Sequence, residues 1–300
     1  MSVTIRTIHP SEEPELSALL DTAFERPERE SRFVELLAKH HPNFDSGLSL
    51  LAEVDGQAAG YALFLPRELT IRGVQISLAI AAALGVLQKF RGREIGRLLT
   101  TTGLSALKDR GMRGAITIGA ADYYGALGFA SAFDLHAVQA RPEHLPPADP
   151  DAAWRAITGE DLEALCRLQK ESYEHASGTE TRLCSPIDWE GQAPGSYSLA
   201  LGAPGDPRAY LRFRVRRELE IMECCANDSE SVHAILAFVH RLMSEHARPL
   251  ALLHVPPETR TSTTLLHLGG LLEHSTFDGG CMLAITDLSG LLADLAPWWA

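Results

Sequence analysis

The sequence predicts an α/β (α+β) chain: a mixed, largely antiparallel sheet flanked by helices, built twice in succession. Three observations carry that reading. Strand and helix signals follow the order β-α-α-β-β-β-α-β-α-β up to about residue 138, which is not the simple alternation of a parallel sheet. A second series of signals, from residue 153 onward, repeats that order. Between them Pro142, Pro146, Pro147 and Pro150 stand among polar residues and read as a linker. The expected division is therefore 1–141, a linker at 142–152, and 153–300.

The elements follow in order. Val3 to Ile8 alternates and reads as a strand. Ser11 can cap a helix whose first turn holds Glu12, Glu13 and Pro14, and Leu16, Leu19, Leu20 and Ala23 form its apolar stripe. A second helix carries Phe33, Leu36 and Leu37. Leu48–Val54 and Gln57–Leu65 flank Asp55-Gly56, a hairpin signal because that turn needs positive φ. A strand at 68–71 leads through Arg72-Gly73 to a long strand ending in the apolar run Leu78 to Leu87. A helix then places Ile95, Leu98, Leu99, Thr102, Ala106 and Leu107 on one face, and Gly111 ends it. Gly114–Gly119 is a strand and Tyr123–Leu127 a short helix closed by Gly128. A single strand runs from Phe129 to about Val138.

The turn between the long strand and its helix carries the chemistry. Arg91, Gly92, Arg93 and Gly96 surround the start of the helix. Free N–H groups point outward at a helix N-terminus, the dipole favours an anion, and glycine lets a ligand approach the backbone, so the turn is a site for phosphate. It is not a Walker loop, because no Gly-Lys-Ser/Thr follows, and the G-x-G-x-x-G spacing of a dinucleotide fold is absent.

These residues resemble motif A of the GNAT N-acetyltransferases, Arg/Gln-x-x-Gly-x-Gly/Ala after an apolar strand. Here Leu84-Gly85-Val86 precedes Arg91-Gly92-Arg93-Glu94-Ile95-Gly96. A second motif, Tyr123-Tyr124-Gly125-Ala126-Leu127-Gly128-Phe129, is similar to the family's aromatic-Tyr-x-x-x-Gly-Phe. One position departs: Glu94 stands where the signature has its central glycine, with a carboxylate near the expected pyrophosphate. As a first-turn helix residue Glu94 can point to solvent, where the dipole favours it. The resemblance covers about residues 1–140. It implies a GNAT-type sheet that splays open around the pantetheine of acetyl-CoA, the cosubstrate.

The residues expected to hold acetyl-CoA are Leu84, Val86, Arg91, Gly92, Arg93, Glu94, Ile95, Gly96 and Arg97, and no metal is expected. Arg91, Arg93 and the N–H groups from Gly92 to Gly96 can anchor the pyrophosphate. N–H groups at the end of the Leu84–Val86 strand can polarise the thioester. Tyr124 stands where the resemblance places the general acid that protonates the leaving thiolate, and Tyr123 reads as the packed aromatic beside it. The base is not readable: Glu53, Glu28 and Glu30 are candidates, and a water chain needs no residue. The acceptor, a small amine or a protein amine, is equally unread, because the loops at about 25–48, 66–76 and 174–196 carry no recognisable code.

In the second half, Trp154–Ile157, Tyr197–Leu201, Arg208–Val215, Glu218–Cys224, Leu250–Val255 and Gly280–Ile285 read as strands. Thr158 with Asp161 caps a helix through Leu162, Leu165, Cys166 and Gln169. Val232, Ile235, Leu236, Val239, Leu242 and Met243 form a stripe, and Ser262–Leu268 is a helix. The counterpart of the phosphate turn, Ala226-Asn227-Asp228-Ser229-Glu230, has no arginine or glycine, and Leu265 stands where the tyrosine would be. This half resembles a degenerate GNAT domain, so one acyl-CoA per chain is expected.

Bulk properties bound the rest. The net charge of −12 argues against nucleic acid as the main partner. No run approaches the roughly 20 apolar residues of a membrane span. The five cysteines form no Cys-x-x-Cys and point to a reduced, cytoplasmic setting. Cys224-Cys225 reads as buried strand. The expected activity is acetyl transfer from acetyl-CoA to an amine by direct attack in a ternary complex. The alternatives are a non-catalytic acyl-CoA-binding or regulatory protein, in which Glu94 has compromised turnover, and a fold relative that binds nothing.

Overall fold

Alternation along the strands decides which helix each sheet face receives. The structure, a computed structural model, describes residues 2–8, 12–24, 30–133, 135–149, 151–185, 189, 195–275 and 280–299. Ser11 and Glu28 lie outside them. The first half contains β1 (Val3–Thr7), α1 (Glu13–Phe24), α2 (Glu30–His40), β2 (Ser49–Val54), β3 (Gln57–Ile71), β4 (Val74–Val86), α3 (Ile95–Asp109), β5 (Gly114–Ile118), α4 (Ala121–Gly125), β6 (Ala130–Phe133) and β7 (Leu135–Ala140). Then come β8 (Trp154–Ala156), α5 (Leu162–Ser172), β9 (Ser177–Glu180), β10 (Ser196–Ala203), β11 (Asp206–Val215), β12 (Leu219–Ala226) and α6 (Ser229–Glu245). The chain continues with β13 (Ala251–Leu253), α7 (Arg260–His267), β14 (Leu271–Ser275), β15 (Cys281–Ile285), α8 (Leu288–Asp294) and α9 (Ala296–Trp299).

Two units result: residues 1–68, 75–133 and 277–300, and residues 69–74 and 134–276. In the first, Leu50, Ala52, Val54, Ala62 and Phe64 face one way, toward Ile95, Leu99 and Leu107 of α3. Leu51, Tyr61, Leu63 and Leu65 face the other way, toward Leu16, Leu19 and Leu20 of α1 and Val34 and Leu37 of α2. This period-2 split is what the pleat requires. The Phe64 ring fills the space a side chain at Gly103 would take, so α3 lies close on β3. Leu98, expected on the buried face of α3, is 39% exposed. In the second unit α6 covers one face with Val232, Ile235, Leu236, Val239 and Leu242, while α5 and Trp189 cover Ala200, Tyr210 and Cys225 on the other.

Strand order is the same in both. The first unit runs β1-β2-β3-β4-β5-β15-β6 and the second β8-β10-β11-β12-β13-β7-β14. Each sheet takes its next-to-last strand from the other half of the sequence. β15 pairs antiparallel with β5, Cys281 opposite Ile118, and also with β6. β7 lies between β13 and β14.

Several expectations are corrected here. The single strand expected from Phe129 to Val138 is two strands in two sheets, because exposed β6 and buried Ala137, Val138 and Ala140 serve different cores. The expected domain limits at 141 and 153 therefore do not describe the compact units: β7 joins the second and β15 the first. The proline-bearing segment 142–149, with a 3-10 turn at Pro142–His144, falls inside the second unit. The two strands expected at 57–65 and 68–71 are one. Pro66 falls between the residues of β3 that pair with β2 (57–63) and those that pair with β9 (69–71), where its missing N–H removes no rung from those two ladders. β9, β14 and the helices after Ile285 carried no sequence signal strong enough to read.

Candidate active site

The ladder between the parallel strands β4 and β5 holds at Ala79–Ala115 and Ile80–Ile116 and goes no further, although β4 continues to Val86. The strands part there, and a cleft of about 540 Å³ opens. The end of β4 (Leu84, Gly85, Val86), the first turn of α3, Ala23 and Phe24 of α1, and Tyr123 and Tyr124 of α4 form its walls.

At one end of the cleft α3 begins without a side-chain cap. Its first intrahelical bond runs from Leu98 N to Glu94 O at 2.9 Å, so the N–H groups of Ile95, Gly96 and Arg97 precede the helical ladder. The two comparable starts in the second unit are closed. Asp228 accepts from Ser231 N at 2.7 Å ahead of α6, and Thr259 accepts from Ser262 N at 3.3 Å ahead of α7. An anion is favoured at the open helix end and is met by a carboxylate at Asp228.

Glu94 sits at φ 60°, ψ 7°, the left-handed conformation that glycine adopts freely. The chain thus keeps a glycine-like turn with a glutamate in it. Glu94 is the residue before the helix, not the expected first-turn residue, and its carboxylate lies 3.7 Å from Arg97 at the surface.

The expected binding residues Leu84, Val86, Arg91, Gly92, Glu94, Ile95, Gly96 and Arg97 all line the cleft. Arg93 does not: its guanidinium lies 5.6 Å from the centre of the Phe90 ring, which Lys89 Nζ also approaches at 4.8 Å. Arg91 reaches backward rather than straight outward. Its Nε donates to Val86 O and its Nη2 to Ala23 O, both at 3.1 Å, tying the end of β4 to the end of α1.

Both tyrosines of the short helix face the cleft. Tyr124 is the more packed: its ring lies against Gly119 and edge-on to Phe129 at 5.3 Å and to Tyr123 at 5.0 Å. Tyr123, expected to be the packed aromatic, carries its hydroxyl to Gly96, beside Thr100 on α3. Burial raises the Tyr123 phenol above its ordinary range.

Glu53, a candidate base, is held by Arg6, whose Nη2 lies 2.7 Å from it and which also binds Glu12. Neither Glu53 nor Glu30 lines the cleft. Cys224 and Cys225 are free thiols buried in β12. Burial pushes the Cys224 thiol up to about 12, so neither is poised as a nucleophile. Among the described residues no group of three or more His, Cys, Asp or Glu is placed to hold a metal ion, and no helix is long and apolar enough to cross a membrane.

Sequence reasoning missed Phe24, Ala23 and Phe90 as walls of the cleft. Phe24 reaches it only through the docking of α1, which no local pattern announces. Tyr123 carried a signal, adjacency to Tyr124, that was read as packing.

The chain has relatives among known proteins. Residues 4–132 match the family described as acetyltransferase (GNAT) domain. The chain is 30% identical over 128 residues, 42% of its own length and 72% of the relative's, to the uncharacterized N-acetyltransferase YhbS of Escherichia coli K12. A GCN5-related N-acetyltransferase from Anabaena variabilis superposes with a TM-score of 0.76 at 13% identity, over 97% of this chain and 74% of that one. Saccharomyces cerevisiae N-myristoyltransferase with bound myristoyl-CoA superposes with a TM-score of 0.59 at 12% identity, over 95% and 78%.

Proposed function

Because this chain belongs to the GNAT acetyltransferase family, we propose that it moves an acetyl group from acetyl-CoA to a small amine or a protein amine, by direct attack in a ternary complex. The observation that carries the proposal is the uncapped first turn of α3, opening into the cleft where β4 parts from β5. Diphosphate oxygens fit the N–H groups of Ile95, Gly96 and Arg97, with the guanidinium groups of Arg91 and Arg97 alongside. The pantetheine arm follows Leu84 to Val86, whose backbone no longer serves β5.

The chemistry asks three things of these residues. Backbone N–H groups at the end of β4 stabilise the oxyanion as the neutral amine adds to the thioester carbonyl. When the C–S bond breaks, the thiolate takes the proton of the Tyr124 phenol, and the proton shed by the amine restores that phenol through solvent. The ring of Tyr124, held between Gly119, Phe129 and Tyr123, keeps its hydroxyl at a fixed point in the cleft. A water chain, or direct binding of the minor neutral amine, takes the place of a side-chain base, since Glu53 is committed to Arg6.

The second unit serves as a degenerate GNAT-like partner. Its strand order supports kinship with the first, and its capped α6, with Asp228 at the turn, argues against a second acyl-CoA. The setting we infer is the cytoplasm, where the five cysteines, none in a disulfide, stay reduced. Titration of the full chain with CoA tests the assignment: calorimetry should saturate at one equivalent. A protein that takes up no CoA would end the proposal, and a second equivalent would end the degenerate reading of the second unit.

A further inference from the structure

We propose that Tyr123 is a second phenol of the acyl-CoA site: it binds the diphosphate at the first turn of α3, through space that Gly96 keeps open, while Tyr124 serves the thiolate. This rests on the acetyl-CoA reading of the cleft.

The Tyr123 hydroxyl occupies the space that a Cβ on Gly96 would take, with the Val86 side chain 3.8 Å from the same point. Any side chain at residue 96 would therefore expel the phenol from the wall of the cleft. The glycine that closes the turn motif and the first tyrosine of the second motif form one contact. Gly96 also lies in the turn whose N–H groups are open.

Thr100 explains how the phenol is held. Its Oγ1 donates its one proton to Gly96 O at 2.8 Å, so toward a phenol beside it Thr100 can only accept. In this arrangement the phenol's proton is kept at the first turn of α3 by a neutral acceptor. An arriving phosphate oxygen is an anionic acceptor and the stronger one, so the O–H turns from Thr100 to the ligand. The contact also meets a need specific to this turn. Arg91 spends Nε and Nη2 on two carbonyls, Arg93 lies over Phe90, and Glu94 brings a negative charge, so a neutral donor beside Gly96 strengthens the anion site without further charge.

The test uses the full-length protein, CoA in calorimetry, and two acyl donors in kinetics: acetyl-CoA and S-acetylpantetheine, which lacks the diphosphate. Tyr123→Phe should weaken CoA about tenfold, the value of a hydrogen bond to a charged acceptor. It should raise the KM for acetyl-CoA with kcat kept, and leave the KM for S-acetylpantetheine unchanged. Gly96→Ala should cause a similar loss, and the double variant should be no worse than the weaker single one, because both remove one contact. If Gly96→Ala fails to fold, Tyr123→Phe, which keeps the ring, still decides. Wild-type affinity in Tyr123→Phe, additive losses, or an equal loss on S-acetylpantetheine would overturn the assignment while leaving the acetyl-CoA reading intact. Absence of CoA binding by the wild-type chain would overturn both.

Discussion

Glu94 and Arg97 face each other across the start of α3, carboxylate to guanidinium at 3.7 Å, with Glu94 held at φ 60°. The ion pair is exposed on both sides and contributes little. The backbone angle contributes more, since a non-glycine residue in the left-handed region costs about 1–2 kcal/mol. Replacing Glu94 with glycine should therefore give a protein about 1 kcal/mol more stable than replacing it with alanine. Inside a helix the order is the reverse. Equilibrium denaturation of the two variants measures the difference, and an alanine variant equal to or better than glycine would contradict the assigned turn. The glycine variant should also bind CoA more tightly than wild type, because a carboxylate leaves the anion site.

Arg91 joins the end of β4 to the end of α1 through Val86 O and Ala23 O. Arg91→Ala should weaken CoA by about tenfold or more and loosen the α1 wall. Arg91→Lys should restore only part of the affinity, because an ammonium restores charge without the planar fork that spans two carbonyls. Calorimetry with CoA compares them; full recovery by lysine would mean that charge alone matters at residue 91.

The exchanged strands predict what dissection does. A fragment ending at 141 lacks β15, which stands between β5 and β6, and a fragment beginning at 153 lacks β7, which stands between β13 and β14. Each would expose two unpaired strand edges in the middle of a sheet. Neither should yield a folded monomer alone, whereas co-expression should. A fragment of 1–141 that is monodisperse and binds CoA would contradict the exchange.

Much of this site was legible because it is local. Leu84 through Arg97 is one stretch of chain, and an apolar strand running into a glycine-bearing turn and a helix has few outcomes. The pairing of β4 was less legible, since hydropathy gives a strand's burial and not the point where its partner leaves. The exchange of β7 and β15 was invisible for the same reason: Ala137-Val138 and Met282-Leu283 read as buried strand in either sheet. Tyr123 was misread because two adjacent aromatics give no sign of which hydroxyl meets Gly96.

Asp161 gives a pH signature. Fully buried, it accepts from Arg155 Nη1 and Nη2 at 2.7 and 2.8 Å, from Thr158 N at 2.8 Å and from Gly205 N at 2.9 Å. The Arg155 guanidinium, aided by those N–H groups, holds its carboxyl well below the usual range. A depressed carboxyl contributes stability that is present above its unfolded pKa of about 3.9 and lost as pH falls through the folded value. Asp161→Asn should lose about 1–3 kcal/mol at neutral pH, since Arg155 keeps its charge without its partner. It should also fall less steeply than wild type below about pH 4. Urea denaturation across that range checks both; parallel pH profiles would exclude Asp161 as the source.

The most direct test of the whole account is release of CoA thiol from acetyl-CoA by the full-length protein against a panel of small amines and lysine-containing peptides. The account predicts amine-dependent thiol release by the wild-type chain. It predicts a fall in kcat on the order of 10²-fold in Tyr124→Phe, with CoA affinity retained. A wild-type protein that binds acetyl-CoA yet releases no thiol with any acceptor, or a Tyr124→Phe variant that turns over at the wild-type rate, would contradict it.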